Sequence, residues 1–471
     1  MIPVLLLMII IPLLGAASLF LFRERHSGKI AIATTLIEIT LAFFSLYLFK
    51  TSGNIAESFS YIPQFSIQLG FELNIISVFL VLLTSIVFFA ASFANEFFIK
   101  EERRSYNALF LVTEAPTLGL FLSSNLFLFF IFWEVSIIAL FFIIFHFGGY
   151  DRRYASIKFL SYSILSSGLL LVGILLLYFS MPVHTFSIAA ITAGASAIPA
   201  TAQTAIFILL MIAFMIKIPI FPFHLWVPDA YSEASPAGSM LLAGVLSKFG
   251  AYGMLLLFMI LPVSKEYALY FAPIIIFSII YSAIVALAQK EIKRMFSYLS
   301  IAEMGFVAFG IAEMNIYGFS GALFGMLSHA MIISLLFIIA YAVDKTIGTT
   351  VIRMLHGIVD AMPILAYATL FGVFAAVGLP LTSSFINDIL IAFGGFKAFS
   401  LLGLAPLAML IINGAYLFWL IGRSFISSQQ PARVLLYPSR SLYAAVFILA
   451  AFIIIFGVVP QVLLGNIGAL I

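Results

Sequence analysis

Five ionisable residues lie within or against long apolar runs of this sequence. Glu134 lies in LFLFFIFWEVSIIALFFIIF, Lys217 ends AIFILLMIAFMIK, and Lys248 lies in MLLAGVLSKFGAYGMLLLF. His329 lies in ALFGMLSHAMIISLLFII, and Asp388 follows a proline in GLPLTSSFINDILIAF. An ionised side chain at the centre of a bilayer costs at least about 2.5 kcal/mol on insertion scales, so each of these groups needs a partner or a purpose. The chemistry that such residues indicate is the transfer of protons or other ions.

The two lysines are the most informative of these residues, because burial favours the neutral amine while a nearby carboxylate favours the ammonium ion. Lys217 beside Glu134 would hold its proton, and would release it when the carboxylate withdrew or was protonated. The predicted order of transfer is Glu134, Lys217, Lys248, His329 and Asp388, with hydroxyl groups and water bridging the longer gaps.

Each of these residues also has a structural interpretation. Glu134 and Lys217 could form a static buried ion pair that fixes helix packing. His329 could be a hydrogen-bonded packing residue, and Asp388 could cap the half-helix that follows the proline.

Three further charged residues carry weaker signals. Glu303 in YLSIAEMGFV and Glu114 in FLVTEAPTLGLF could serve either transport or packing. Lys397 is expected to extend its ammonium group to the outer membrane surface.

The composition places these residues in an integral membrane protein. Of the 471 residues, 64% are hydrophobic and only 9% are charged, whereas about half of a soluble domain is apolar. Apolar runs of about 20 residues, the length of a membrane-crossing helix, recur along the chain. Fourteen such spans are predicted, at roughly 2–22, 29–49, 74–99, 105–122, 125–147, 158–180, 203–221, 236–261, 267–288, 297–313, 317–343, 362–396, 399–423 and 441–464. The first lacks the basic segment of a cleaved signal peptide and is predicted to be retained.

Several kinds of site are excluded by the sequence. The chain has no cysteine, so it cannot itself carry a disulfide, an iron–sulfur cluster or a reactive thiol. Its six histidines lack the spacing of a helical metal site. There is no glycine-rich phosphate loop and no long basic run, so we expect no cofactor, no metal and no nucleic-acid partner.

The distribution of basic residues predicts the orientation of the chain. With fourteen spans and the N-terminus outside, 17 of the 22 Lys and Arg residues fall in the loops on the inner side. Because inner loops carry the excess of Lys and Arg, both termini are predicted to lie outside.

The predicted spans divide the chain into four parts. A three-helix segment covers 1–104, two five-helix blocks cover 105–261 and 267–424, and a last helix covers 441–464. Because five is odd, the second block crosses the membrane in the opposite sense to the first, as in transporters built from inverted repeats.

Each block carries a proline interruption at a corresponding depth, Pro219 and Pro222 in the first and Pro380 in the second. A proline removes a backbone donor and frees a carbonyl, which is tolerated at membrane depth where protein or water satisfies it. The predicted fold is therefore an all-α polytopic membrane protein of fourteen transmembrane helices, with two inverted five-helix repeats and two broken helices.

Four segments of the sequence resemble the antiporter-like subunits of respiratory complex I. They are FFIFWEVSIIALFFII, KIPIFPFHLWVPDAYSEASPAGSMLLAGVLSKFGAYG, QKEIKRMFSYLSIAEMGFV and GLPLTSSFINDILI. The same family includes the D-type subunits of Mrp antiporters and subunits of archaeal membrane-bound hydrogenases and sulfur reductases. The resemblance covers roughly 105–424 and implies a fourteen-helix core, broken seventh and twelfth helices, and a central polar axis that moves protons.

The resemblance also implies roles for particular residues. Glu134, Lys217 and Lys248 match the family's fifth-helix glutamate, seventh-helix lysine and eighth-helix lysine. The chain departs from many relatives in having Ile333 where HAxxK places a lysine. An acid at position 388 resembles the M-type subunit of complex I, which is the closest match. Relatives with a lateral helix extend beyond the fourteenth span, and this arm is not expected here.

Three hypotheses for the function follow. The first is a subunit that moves protons, or sodium ions, within a membrane-bound respiratory redox complex of a prokaryotic plasma membrane. Its partners would be the lipid bilayer, other membrane subunits including related antiporter-like chains, and hydrophilic redox subunits with iron–sulfur clusters. The second is a subunit of an Mrp-type Na⁺/H⁺ antiporter without redox partners, and the third is a structural scaffold. Asp388 and Ile333 favour the first.

Overall fold

The computed structural model describes residues 3–62, 67–426 and 434–465, and 81% of the structure is helical. The N-terminal part contains α1 (Val4–Ser18), α2 (Ser27–Ser52), a hairpin of β1 (Ile55–Ile62) and β2 (Ile67–Leu73), and α3 (Ile75–Phe98). A short 3-10 turn, Glu24–His26, precedes α2.

The first predicted block contains eight helices. They are α4 (Arg103–Leu122), α5 (Leu126–Phe147), α6 (Arg152–Ser180), α7 (Ile188–Gly194), α8 (Ala200–Lys217), α9 (Val227–Glu233), α10 (Pro236–Leu241) and α11 (Ser247–Ile260). A π-helical turn, Leu242–Leu246, joins α10 to α11, so that one continuous helix runs over Pro236–Ile260.

The second block and the C-terminal part contain nine more. They are α12 (Ser264–Leu287), α13 (Ile292–Ala312), α14 (Ile316–Ile347), α15 (Ile358–Ala361), α16 (Pro363–Ala376), α17 (Ser383–Phe399), α18 (Ala408–Leu420), α19 (Arg440–Val458) and α20 (Gln461–Leu464).

The prediction of an all-α chain is wrong at the hairpin. Strands β1 and β2 pair antiparallel, with Ile55 opposite Leu73. Their sequences, IAESFSYI and IQLGFEL, are rich in β-branched and aromatic residues that alternate with polar ones, a period-two pattern that favours a strand. Glu57 accepts hydrogen bonds from the amides of Leu5 and Leu6 (3.1 Å each), which ties the hairpin to the start of α1.

Within the described ranges, eleven helices are long and apolar enough to cross a membrane, and Val4–Ser18, Ile188–Ala197 and Pro363–Ala376 are shorter apolar helices. The chain is therefore a multi-pass membrane protein. The count of fourteen spans and the inverted repeats stay predictions.

Helices α3, α13, α14 and the helix over Pro236–Ile260 form the buried centre of the bundle. The most apolar part of α14 is 100% buried, whereas only 39% of the corresponding part of α12 is buried. The exposed side chains of the outer helices are largely apolar, as in Leu269 and Phe277 of α12. Apolar side chains suit an outer surface when the surrounding medium is hydrocarbon rather than water.

The helix that starts as α8 is interrupted over 218–226. The amide of Ile220 reaches back five residues to the carbonyl of Met215 (2.9 Å). The indole N–H of Trp226 donates to the carbonyl of Ile216 (3.0 Å), and the amide of Phe221 donates to Ser278 Oγ of α12 (2.9 Å). The polar backbone groups that the break frees are thus satisfied inside the protein.

A second interruption, over 377–382, separates α16 from α17. The amide of Leu379 reaches back five residues to the carbonyl of Phe374 (3.0 Å), which repeats the geometry of the first break. The hydroxyl of Ser384 donates to the carbonyl of Ala375. Each break places a short non-helical segment beside a buried charged residue.

Candidate functional site

Lys217, the last residue of α8, is held in an aromatic pocket and is 1% exposed. Its Nζ donates to Ser163 Oγ of α6 at 2.8 Å. The rings of Phe159, Trp133 and Trp226 surround it at 5.2, 5.7 and 6.0 Å from Nζ to the ring centroid. The π faces of aromatic rings attract a cation, so this pocket suits an ammonium ion that has lost its water.

Glu134 lies next to Trp133 on α5, and the centroid of the Trp133 ring is 5.7 Å from Nζ of Lys217. Over the described ranges, however, no carboxylate oxygen lies within the 4.0 Å of an ion pair with Lys217. Glu134 Oε1 has no hydrogen-bond partner there either. The structural interpretation of these two residues as a static contact ion pair therefore does not describe this conformation.

Lys248, near the start of α11, is 0% exposed and makes three polar contacts. Its Nζ lies 2.9 Å from the carbonyl of Ala243, 3.2 Å from Ser247 Oγ and 2.5 Å from Nδ1 of His329. Ala243 belongs to the π-helical turn Leu242–Leu246. Such turns displace the regular hydrogen bonds of a helix and occur frequently at functional sites.

His329 of α14 connects this lysine to α13. Its Nε2 lies 3.0 Å from Ser300 Oγ and 3.8 Å from Oε2 of Glu303. When Nδ1 accepts a hydrogen bond from the Lys248 ammonium group, Nε2 carries the ring proton and donates a hydrogen bond to the hydroxyl of Ser300. The ring therefore links a lysine on one side to a hydroxyl and a carboxylate on the other.

Glu303 and Asp388 face a common cavity of ≈ 20 Å³, which is also lined by Ser328, His329 and Asn387. Convergent polar groups of this kind are the partners that a buried water requires. Within this conformation Asp388 Oδ1 accepts a hydrogen bond from Asn387 Nδ2 (2.9 Å). Lys248, His329, Glu303 and Asp388 thus form a polar cluster, in which Lys248 contacts His329 and the other three residues line one cavity.

Asp388 does not cap α17. The cap position is Thr382, no side chain caps this helix, and Asp388 lies in its second turn. The second break instead brings backbone against the carboxylate: Gly378 has a φ of +80°, and a Cβ there would collide with Asp388 Oδ2. The left-handed conformation and the lack of space both require glycine at this position.

The predicted transfer chain has a gap between Lys217 and Lys248, which no hydrogen bond joins across the parts of the chain that are described. The backbones of α8 and α11 are close, because a Cβ on Gly250 would lie 2.8 Å from the carbonyl oxygen of Phe214. Trp133 packs against Phe214 and Phe249 there, with ring centroids 6.2 and 5.8 Å away. Passage of a proton across this apolar wall needs water or a movement of side chains.

Charged groups of the predicted inner loops meet at one end of the bundle. Asp229 accepts from Lys158 Nζ (2.6 Å) and from the guanidinium of Arg294 (2.7 Å). Nearby, burial raises the pKa of the Glu233 carboxyl above its usual range, and the hydrogen bond from the amide of Asp151 (2.9 Å) acts in the opposite direction. These residues offer a polar surface from which protons could enter the protein.

Three carboxylates carry more weight in the structure than in the sequence. Glu303 is a weaker candidate in the sequence, yet it lines the cavity with His329 and Asp388. Glu38 and Glu313 are not among the predicted site residues, yet they are 0% and 4% exposed, and their carboxylate oxygens have no hydrogen-bond partners among the residues that the structure describes. Glu38 carries the same signal as Glu134, a carboxylate in the apolar run IAIATTLIEITLAFF, whereas Glu313 follows the end of a span, where a surface position is the usual expectation.

The fold and this cluster define a class of protein, a polytopic membrane protein with protonatable side chains buried along its centre. Residues 123–412 match the family described as NADH:quinone oxidoreductase/Mrp antiporter, TM. The chain therefore belongs to this family, which confirms the resemblance seen in the sequence.

Relatives with the M designation match almost the whole chain. The chain is 32% identical to NADH-quinone oxidoreductase subunit M of Rickettsia prowazekii, over 98% of this chain and 96% of the relative. It is 33% identical to F(420)H(2) dehydrogenase subunit M of Methanosarcina mazei, over 90% and 88% of the two chains. Its fold matches a chain of respiratory complex I from Thermus thermophilus with bound NADH (TM-score 0.90, 23% identity, 99% and 98% covered).

Proposed function

We propose that this chain transports protons across the plasma membrane of a prokaryote as the M-type antiporter-like subunit of a membrane-bound redox complex. The observation that carries this proposal is the contact between Lys248 Nζ and His329 Nδ1 (2.5 Å), because both groups are buried and both can take up and release a proton. Intramembrane ionisable residues of this kind typically mark ion pathways.

The part of the proposed pathway that leads to the outer side runs from Lys248 through His329 and Glu303 to Asp388. The N–H bond of the Lys248 ammonium group breaks as Nδ1 of His329 gains the proton, and Nε2 of the imidazolium then gives up its own. Ser300 and the Glu303 carboxylate lie on that side of the ring, at 3.0 and 3.8 Å. A water in the cavity between Glu303 and Asp388 would carry the proton onward.

In the part of the proposed pathway on the inner side, Lys217 supplies a new proton to Lys248. Among the described residues, Lys217 has one hydrogen-bond partner in the aromatic pocket, the neutral hydroxyl of Ser163. The position of the Glu134 carboxylate would therefore control how strongly Lys217 holds its proton. Movement of Glu134 towards or away from Lys217 would alternate proton uptake with proton release across the apolar gap.

In a redox complex the energy for this cycle would come from neighbouring subunits, because a chain without cysteine cannot hold an iron–sulfur cluster. We infer that the partners are other membrane subunits, including related antiporter-like chains, and hydrophilic subunits with iron–sulfur clusters. The fourteen-span topology with both termini outside belongs to this proposal.

The second candidate is a subunit of an Mrp-type antiporter, which would work without redox partners. Similarity to the M subunits of two dehydrogenase or oxidoreductase complexes favours the redox complex. Purification from the native membrane would separate the two: iron-containing subunits that co-purify with this chain support the redox complex, and their absence from an intact assembly supports the antiporter.

Proton transport is tested with Lys248→Met, which keeps the volume of the side chain and removes its charge. We expect proton uptake into inverted native membrane vesicles, followed with a pH-sensitive dye, to fall by roughly a hundredfold, as when a positioned proton-transfer group is lost. Lys265→Met, at an exposed lysine, is the matched control. Normal uptake by a correctly assembled Lys248→Met complex would refute the proposed role.

A further inference from the structure

Glu313 is a buried carboxylate that the transfer chain described above does not use. It follows the last residue of α13 and is 4% exposed. Both of its Oε atoms lack hydrogen-bond partners across the described ranges, and no Lys, Arg or His there lies within ion-pair distance. An unpaired buried carboxylate is strongly disfavoured, so Glu313 carries a proton in this conformation.

Three glycines form the walls around this carboxyl group, where α13, α14 and α17 meet. A Cβ on Gly395 would lie 3.2 Å from Oε1 of Glu313, and a Cβ on Gly318 or Gly394 would collide with Oε2. The neighbouring polar side chain, Asn315, is engaged elsewhere, since its Nδ2 donates to the carbonyls of Glu313 and Gly394 (3.1 and 3.0 Å). The space thus fits the glutamate side chain and little else.

This carboxyl group lies on the continuation of the polar cluster along α17. Gly394 follows Asp388 by six residues, which is about 9 Å along a helix axis. Residues 388, 391, 394 and 395 fall on one face of α17 because they are three, six and seven positions apart. The same end of the bundle holds the turn between α13 and α14, which is predicted to face the outer side.

Ile391 lies on α17 between Asp388 and Gly394, on the same face of the helix, and is 0% exposed. Its Cγ1 fills the room that two glycines leave: a Cβ on Gly310 of α13 would lie 2.9 Å from it, and a Cβ on Gly321 of α14 2.7 Å. On this face of α17, Ile391 lies between Asp388 and the glycines that touch the Glu313 carboxyl group, and its side chain offers a water no hydrogen-bond partner.

We propose that Glu313 is the group that releases protons to the outer side, and that Ile391 is an apolar gate between Asp388 and Glu313. This inference rests on the proposed function, since it extends the same pathway. In each cycle Glu313 loses its proton to the outer solution. Displacement of Ile391 then admits water, the O–H bond of Asp388 breaks, and the O–H bond of Glu313 forms.

The gate is tested by the passive proton permeability of vesicles that contain the intact complex without redox substrate. Ile391→Ala should raise the rate at which an imposed pH gradient decays several-fold. Ile279→Ala is the matched control, because Ile279 is also 0% exposed and packs its Cγ1 against a glycine, Gly305. A leak in the control as large as in Ile391→Ala, or no leak in Ile391→Ala, would overturn the gate.

The release group is tested by Glu313→Gln, alone and combined with Ile391→Ala. Glutamine copies the neutral carboxyl but cannot release a proton, so driven proton uptake should fall at least tenfold and the leak of Ile391→Ala should disappear in the double variant. Glu313→Asp should restore part of the activity. A leak that persists without the carboxyl group would show that Glu313 lies off the pathway.

The Lys248→Met variant in the same assay separates this inference from the proposed function. If Lys248→Met is inactive while Glu313→Gln pumps normally, the release group is wrong and the pathway stands. If Lys248→Met itself pumps normally, the proposed pathway is wrong.

Discussion

Glu303 shows how contacts in the folded protein alter the importance of a residue. In the sequence it is one acid among several in apolar segments, whereas in the structure it lies between His329 and Asp388 at the polar cavity. Its Oε1 has no hydrogen-bond partner within the described ranges, so one oxygen is free to take up a proton or a water.

We predict that Glu303→Gln will stop outward transfer, because glutamine cannot accept a proton from His329. Proton uptake into inverted vesicles should fall by roughly a hundredfold. Glu114→Gln is the control, since Glu114 is buried, its carboxylate oxygens have no hydrogen-bond partner in the described ranges, and it does not line the cavity. Equal losses in the two variants would indicate a general packing defect instead.

For individual residues, the sequence predicts which side chains are candidates for proton transfer but not which of them are in contact in the folded protein. Lys217, Lys248, His329 and Asp388 stand out because hydrocarbon makes any ionisable group exceptional. The gap between Lys217 and Lys248, and the missing contact between Lys217 and Glu134, depend on how aromatic rings from three helices pack. Apolar periodicity in a fully buried helix does not specify such packing, since every face of it is hydrophobic.

At the level of secondary-structure elements, the feature that bears on function is the pair of broken helices. Prolines at 219, 222 and 380 predict interruptions because they remove backbone donors, and the structure interrupts the helices at both places. The sequence does not predict how the freed groups are satisfied, because the partners come from distant elements. Phe221 donates its amide to Ser278 Oγ of α12, 57 residues away.

Substitution of Ser278 measures how much that hydrogen bond contributes to the stability of the protein. Ser278→Ala should remove the hydrogen-bond partner of the partly buried amide of Phe221 and lower the stability of the protein by about 1–3 kcal/mol. Ser282→Ala is the control one turn along α12, because Ser282 is equally buried and its Oγ has no partner in the described residues. Thermal unfolding followed by tryptophan fluorescence in detergent distinguishes them, and similar transition temperatures for both variants would contradict the assigned contact.

A count of apolar membrane-crossing segments does not detect the hairpin of β1 and β2. Length and apolarity identify membrane-crossing helices well, because both the helix and the bilayer have fixed dimensions. A strand pair of seven and eight residues between two spans carries a weaker pattern, which is easily read as a loop. Its contact with α1 through Glu57 is again a tertiary feature.

At the scale of the whole molecule, the predicted inverted repeat makes a geometric demand that the charge pattern alone does not. Equivalent loops of two repeats that differ in sense must face opposite sides of the membrane. In the predicted blocks 105–261 and 267–424, Val183, after α6, and Met354, after α14, fall in equivalent loops, and they are 74% and 63% exposed.

Because the chain has no cysteine, one introduced cysteine at a time reports the side on which a loop lies without background. With the N-terminus outside, Val183→Cys should react with a membrane-impermeant maleimide in intact cells, and Met354→Cys should react only in inverted vesicles. Permeabilised cells control for the reactivity of each thiol, since both residues are well exposed. Labelling of both cysteines from the same side would exclude the inverted repeat, whereas opposite labelling with the sides exchanged would keep the repeat and reverse the predicted orientation. The first result would also remove the basis for placing Glu313 at the outer surface, since that placement follows from the same count of crossings.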